Sequence, residues 1–192
     1  MTPGLIEGHG HFMRLGYNEL NLDLMNTNSY QDIIDAVKAR VKVAKPGEWI
    51  VGRGWHQSKW DSLPEDMVKG FQTHHLLSEV SPKNPVYLSH ASEHAGFANA
   101  KAMDIAGLQV LTKDGIKKFE IEGGEVIVDA FGRPTGIFNE RAQSLILKHI
   151  PEKTPETDAQ AFNLAISACH KNGITSFHDA GIQERLSLCT KK

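Results

Sequence analysis

The sequence predicts an α/β fold, in which short buried strands alternate with amphipathic helices. Short apolar runs indicate the strands, and they lie at residues 5–6, 48–52, 85–89 and 174–177. Apolar residues at three- and four-residue intervals indicate the helices, in the stretches 29–44, 98–106, 139–150 and 154–169. Because no internal repeat or clear linker interrupts this alternation, the chain is treated as one segment over residues 1–192.

Capping residues indicate where several helices begin. Ser29 precedes a carboxylate by three residues, an arrangement that satisfies backbone N–H groups at a helix start. Pro155 suits the first turn of a later helix, and Asn139 is expected to cap the helix before it. Residues 17–24 are predicted to be a loop, and the polar loop that carries Trp60 is expected at the surface.

Residues 114–138 differ from the rest of the chain and are predicted to form an inserted β-hairpin. Strand-like runs lie at residues 126–128 and 135–138, and Gly-Gly and Gly-Arg-Pro sequences punctuate them. The predicted architecture is therefore an α/β segment with a hairpin insertion.

His9-Gly10-His11 follows the first apolar run and predicts a metal site. Successive strand side chains point to opposite faces, so two imidazoles separated by one small residue can reach the same cavity and share one ion. The carboxyl end of a strand is also where barrel enzymes place their chemistry. Taken alone, the tripeptide leaves open a less favoured alternative, two solvated histidines in a glycine-rich loop, because short motifs often match by accident.

Composition and charge exclude several classes of function. The 192 residues are 40% hydrophobic and 23% charged, which is typical of a globular protein. A net charge of -2 without a long Lys/Arg run argues against nucleic acid or an anionic membrane as the main partner. No apolar stretch approaches the roughly 20 residues of a membrane span, and residues 1–15 lack a signal-peptide layout, so a cytoplasmic location is expected. The two cysteines, Cys169 and Cys189, are expected to be free thiols.

A series of further motifs accompanies the histidine pair. The run from Pro3 to Phe12, Pro-Gly-Leu-Ile-Glu-Gly-His-Gly-His-Phe, resembles the first barrel strand of the amidohydrolase superfamily, in which paired histidines bind a catalytic divalent metal. The later motifs are Gly52-Arg53-Gly54-Trp55, Glu93 to Ala102, Gly123 to Asp129, Gly132 to Gly136 and Gly173 to Gly181. In this order and at these separations the chain resembles amidohydrolase family 3, which includes hydrolases similar to N-substituted formamide deformylase.

This resemblance implies a partial (β/α)-barrel of the metal-dependent hydrolase type. It also implies a divalent metal at His9 and His11, with zinc as the expected ion, and hydrolysis of an amide or formamide carbon–nitrogen bond by metal-bound hydroxide. Family members have a small β-domain and a full barrel, so the chain is expected to be an incomplete segment without that domain and the later barrel strands. The remaining metal ligands of the family, a lysine carbamate, later histidines and an aspartate, belong to those strands.

Four further residues are candidates for the site. In the family pattern the stretch around His94 borders the substrate cleft, so His94 is expected to contact substrate, with a surface hydrogen bond as the alternative. Trp55 follows glycines that let the backbone expose its ring to a ligand, although core packing is slightly favoured. His178 and Asp179 follow a strand-like run and are weaker candidates for catalysis. For Asp179, the alternative is a cap of the next turn.

Two other functions stay open beside the hydrolase. The chain could be a non-catalytic remnant that binds metal weakly or self-associates, because an incomplete barrel leaves strand edges unpaired and an apolar face uncovered. A small-molecule binding module without chemistry is favoured only by Trp55 and the glycine-rich turns. The expected partners are therefore a small-molecule substrate and, through the incomplete barrel edges, other copies of the chain.

Overall fold

The structure is a computed structural model of the chain, and it describes residues 3–108, 111–112, 115–116 and 121–181. The helices are α1 (Phe12–Leu20), α2 (Tyr30–Val41), α3 (His75–Val80), α4 (Ala100–Ile105), α5 (Ser144–Leu147) and α6 (Pro155–Lys171). The strands are β1 (Leu5–Gly10), β2 (Leu22–Asp23), β3 (Ile50–Trp55), β4 (Val86–His90), β5 (Ala95–Ala98), β6 (Leu111–Thr112), β7 (Gly115–Ile116), β8 (Gly124–Val128), β9 (Pro134–Glu140) and β10 (Ile174–Asp179). Contacts group the described residues into two compact units, one within residues 1–21 and 152–192 and the other within residues 22–151.

The first unit pairs β1 with β10 and packs α1 on α6. The two strands are parallel, with Leu5 opposite Ile174 and Gly10 opposite Asp179. The helices bury a small apolar cluster of Met13, Tyr17 and Ala161. The predicted loop over residues 17–24 is wrong at its start, because residues 17–20 belong to α1. Tyr17 is buried there, and its hydroxyl donates to Oδ1 of Asp158 on α6 at 2.6 Å. Tertiary contacts with α6 therefore stabilise a helix that lacks a local start signal.

The predicted start of α6 is confirmed. Thr154 is its N-cap residue, with Oγ1 accepting from the N–H of Thr157 at 3.3 Å, and Pro155 is its first residue. Carboxylates lie in the first turn and His170 and Lys171 in the last, which suits the helix dipole. Cys169 on this helix is a free, buried cysteine, while Cys189 lies outside the described residues.

The second unit is built on a six-stranded sheet in the order β2-β3-β4-β5-β9-β8. Strands β2, β3 and β4 are parallel, and β5, β9 and β8 continue the sheet in antiparallel pairs. Two apolar clusters pack against this sheet, and neighbouring residues of one strand belong to different clusters. Leu88 of β4 and Ile137 of β9 belong to one cluster, and Tyr87 of β4 and Phe138 of β9 belong to the other. Both faces of the sheet are therefore covered, which explains why these strands read as continuous apolar runs.

In the second unit one prediction from a local sequence signal is confirmed, and two others are wrong. Ser29 caps α2 as expected, since its Oγ accepts from the N–H of Asp32 at 3.1 Å. Asn139, by contrast, lies inside β9 and caps no helix, because the chain stays extended there to pair with β5. The following helix is the short α5, and Trp60, expected at the surface, is buried with only 8% of its area exposed.

The strands predicted within residues 114–138 are β8 and β9, which pair antiparallel. Strand β9 also pairs with β5, a strand that the sequence analysis missed, so the hairpin extends the sheet of the second unit. Residues 114 and 117–120 of the predicted insertion lie outside the described residues. The fold class is thus mixed α/β, and the partial barrel stays a prediction. In the part of the chain that the structure describes, no helix has the length and apolar character needed to cross a membrane.

Candidate functional site

The two histidines of the first motif lie together at the carboxyl end of β1. His9 belongs to the strand, and His11 directly follows it as the N-cap residue of α1. Their ring centres are 6.3 Å apart and the ring planes are inclined by 67°. Both side chains are exposed, so an ion from solvent can reach them.

This pair fits the chemistry of a divalent metal. Two imidazoles that share one tetrahedral zinc ion at about 2.0–2.1 Å place their ring centres roughly 5 Å apart. The observed 6.3 Å is close enough for rotation of the exposed His9 side chain to close the difference. Among the described residues no group of three or more His, Cys, Asp or Glu side chains could hold an ion, so the described part of the chain offers at most two ligands at this place.

Asp179 lies beside this pair, and His178 precedes it on β10. The Oδ2 atom of Asp179 accepts from the N–H of Phe12 at 2.8 Å, and its Oδ1 accepts from the N–H of Gly181 at 2.8 Å. His178 is exposed on the strand. The structure therefore brings His9, His11 and Asp179 into one region of the first unit, and a catalytic role for His178 or Asp179 stays a prediction.

Trp55 lies at the end of β3 inside the core of the second unit. None of its side chain is exposed, and its Nε1–H donates to the carbonyl of Leu88 at 3.0 Å. Its ring packs against those of Phe97 and His90, with centre distances of 6.0 and 4.6 Å. Trp55 is therefore a core residue, as in the core-packing alternative, because a fully buried ring has no surface that a ligand can contact.

His94 lines a cleft of about 450 Å³ in the second unit, together with His90 and Glu140. The Nδ1 atom of His94 lies 2.9 Å from Oε1 of Glu140, and the His94 side chain is 72% exposed. The N–H of Glu140 also donates to the carbonyl of His94 at 2.8 Å. The Glu140 carboxylate orients the ring and leaves Nε2 of His94 directed away from that contact, where it can exchange a hydrogen bond with a ligand.

His90 is a feature of this cleft that the sequence analysis did not single out. The N–H of Ser92 donates to Nδ1 of His90 at 3.1 Å, so the neutral ring carries its proton on Nε2. That Nε2 atom is buried and has no hydrogen-bond partner within the described part of the protein. Burial, reinforced by the positive charges of His56 and His94, lowers the pKa of His90 to about 4. The ring is therefore neutral near pH 7.

Glu140, which lines this cleft, and Glu93, which precedes His94, have backbone angles that residues with side chains rarely adopt. Glu93 has a φ of 65° and Glu140 a φ of 51°, in the region that favours glycine. Each of these two residues takes part in a side-chain contact. The Nε2 of Gln143 donates to the carbonyl of Glu93 at 3.0 Å, and the carboxylate of Glu140 contacts the ring of His94. Backbone strain of this kind is found at functional sites. Glu140 was missed because a glutamate beside a predicted helix start suggests only a helix-dipole contact.

The family comparison identifies known proteins that the chain resembles. A profile described as the amidohydrolase family matches residues 1–188. The YtcJ protein of Bacillus subtilis, whose name places it among amidohydrolases, is 32% identical over 93% of this chain. The N-substituted formamide deformylase of Arthrobacter pascens is 30% identical over 76% of this chain.

These relatives are longer than the chain. The matched segment is 31% of the length of YtcJ and 25% of the length of the deformylase. A solved structure described as an uncharacterized metal-dependent hydrolase from Pyrococcus furiosus superposes with a TM-score of 0.60 at 23% identity. That superposition covers 98% of this chain and 34% of the other, and it shows a shared fold.

Proposed function

This chain belongs to the amidohydrolase family, and from that membership we propose that it supplies the first metal-binding strand of a hydrolase for carbon–nitrogen bonds. The proposed substrates are amides or formamides, and the proposed ion is zinc. The relative named as a formamide deformylase supports this substrate class. The solved structure named as a metal-dependent hydrolase supports the use of a metal.

The observation that carries the proposal is the juxtaposition of His9 and His11 at the end of β1. Their imidazoles are 6.3 Å apart at the ring centres, exposed, and of the donor type that zinc prefers. A bound divalent ion would polarise a carbonyl and lower the pKa of water. The two histidines would hold that ion through one ring nitrogen each.

His94 is the proposed substrate contact. Its ring is held by Glu140 in a cleft of about 450 Å³, and it is largely exposed. With Nδ1 held by the carboxylate, the Nε2 atom of an exposed imidazole can donate a hydrogen bond to the amide group of a substrate or accept one from it. Trp55 is left out of this proposal, because its ring is fully buried.

Zinc binding and hydrolysis test the proposal. Zinc affinity is measured by competition with a coloured chelator for the unmodified chain and for the double variant His9→Ala/His11→Ala. We expect the double variant to lose zinc binding, while His170→Ala, a change of one exposed histidine on α6, binds as the unmodified chain does. Hydrolysis of N-formyl and N-acyl amines is then measured with the zinc-loaded chain and with a longer version that includes any flanking coding sequence. Equal zinc affinity in the double variant and the unmodified chain would refute the proposal.

Association of two copies is a second candidate function, and the exposed apolar residues of β1 favour it. Leu5 and Ile6 are 60% and 67% exposed, whereas parallel strands are normally covered on both faces. If this surface binds a second copy, sedimentation velocity shows a concentration-dependent dimer, and Leu5→Ser/Ile6→Ser abolishes it. A monomer at every concentration contradicts this candidate.

A further inference from the structure

The carboxylate of Asp179 joins two backbone segments that flank His11. Asp179 lies opposite Gly10 in the parallel pair of β1 and β10, and the N–H of Ala180 donates to the carbonyl of Gly10 at 2.8 Å. One carboxylate oxygen accepts from Phe12, the residue after His11, and the other accepts from Gly181, each at 2.8 Å. This side chain therefore ties the start of α1 to the turn that follows β10.

The bond to Phe12 takes over a function that the N-cap side chain usually performs. The first N–H groups of a helix have no partner within the helix, and the side chain of the N-cap residue commonly accepts from one of them. Here the N-cap residue is His11, and its side chain makes no capping hydrogen bond. Because Asp179 accepts from the first N–H of α1 instead, the His11 ring is not required for capping. A carboxylate at this end is also favoured by the helix dipole.

The bond to Gly181 places a second segment against the His11 ring. A Cβ atom added to Gly181 would lie 3.1 Å from both Cε1 and Nδ1 of His11. The backbone of Gly181 therefore packs on one side of the ring and limits the positions that the ring can take. Since Asp179 holds the N–H of Gly181, the same carboxylate determines where this surface lies.

We propose that Asp179 is a positioning residue that orients His11 for metal binding. This inference rests on the proposed function, since it assumes that His11 is a metal ligand. Asp179 acts through the backbone on both sides of His11 and does not itself bind the ion. Hydrogen-bonding groups that orient metal ligands typically contribute about 10- to 100-fold to metal affinity.

The substitution Asp179→Asn tests the proposal with little change in shape. An amide offers one accepting oxygen, so in either orientation its NH₂ group faces one of the two N–H donors. We expect zinc affinity, measured by chelator competition, to fall about 10-fold or more. The matched control is Asp23→Asn in the second unit, where Oδ1 accepts from the N–H of Met25 two residues on, at 2.9 Å. This control should retain the affinity of the unmodified chain.

A second variant reaches the ring without changing the carboxylate. In Gly181→Ala the new methyl group must displace the His11 ring by a few tenths of an ångström, because 3.1 Å is tighter than an ordinary contact. We expect a several-fold loss of zinc affinity. This variant keeps the proposal testable if Asp179→Asn fails to fold.

A measurement without metal separates this inference from the proposed function. The ring proton signals of His11 in NMR spectra report its surroundings, and we expect them to shift in Asp179→Asn and Gly181→Ala but not in Asp23→Asn. If the unmodified chain binds no zinc while these signals shift, the metal site is refuted and the positioning contact stands. Unchanged His11 signals together with unchanged zinc affinity in both variants would overturn the inference.

Discussion

The contact between α1 and α6 gives a prediction whose magnitude follows from the structure. A Cβ atom added to Gly16 on α1 would lie 1.9 Å from the carbonyl oxygen of Ala161 and 2.5 Å from its carbonyl carbon. Side-chain Cβ atoms do not approach other atoms closer than about 3.0 Å, so Gly16→Ala must separate the two helices by about 1 Å. The obstructing atoms belong to a helix backbone and cannot rotate away.

The expected loss of stability is about 2 kcal/mol. Overpacking of a tight contact costs about 1–3 kcal/mol, and a rigid backbone neighbour places this site near the upper value. Alanine in a helix gains about 1 kcal/mol over glycine, which offsets part of that cost. Since 1.4 kcal/mol corresponds to a factor of ten, the opening equilibrium of α6 is expected to rise about 30-fold.

Amide hydrogen exchange provides the assay, because it reports the opening of each element separately. We expect the amides of α6 to lose about 30-fold in protection in Gly16→Ala. The matched control is Gly8→Ala on β1, where an added Cβ meets nothing within 4 Å and exchange should be nearly unchanged. Protection of α6 that is equal to or higher than that of the unmodified chain would refute the close helix contact.

Two further predictions concern the second unit. Burial lowers the pKa of His90 to about 4 in the folded protein, whereas its usual value is 6.5. As the pH falls below 6.5, the unfolded state therefore binds a proton at this ring before the folded state does. The contribution of the ring to stability is complete above pH 6.5 and is lost as the pH falls toward 4. The substitution His90→Asn keeps an acceptor for the N–H of Ser92, and we expect it to flatten the dependence of the unfolding free energy on pH between 6.5 and about 5, measured by urea titration. The control is His170→Asn at an exposed site. A pH dependence as steep in His90→Asn as in this control would contradict the prediction. Trp55→Ala should cost about 3–5 kcal/mol of unfolding free energy by circular dichroism, because the ring is fully buried. The partly buried Trp49→Ala should cost less, and an equal or smaller loss for Trp55→Ala would show that its ring is not a core element.

Elements with strong local signals could be predicted from the sequence. Ser29 caps α2 as predicted, and α6 begins at Pro155, the residue predicted for its first turn, because both signals act within a few residues of the helix start. The buried strands β3 and β4 follow from apolar runs. In each case the stabilising contacts are local or are encoded in the spacing of apolar residues.

Elements that depend on distant partners could not be predicted in this way. The helix α1 is stabilised by Tyr17 and its bond to Asp158, which is 141 residues away in sequence. Asn139 stays in β9 because it pairs with β5, although its residue type favours a helix cap. These contacts exist only after the chain has folded.

The candidate site shows the same division between local and distant information. The histidine pair followed from the amino-acid sequence, since two histidines separated by one residue at the end of a strand lie near each other whatever surrounds them. Tertiary structure alone decided that Asp179 holds the start of α1, that Glu140 holds His94, and that Trp55 belongs to the core. Each of these roles depends on which groups lie within hydrogen-bond or van der Waals distance, and chain folding sets those distances between residues far apart in sequence.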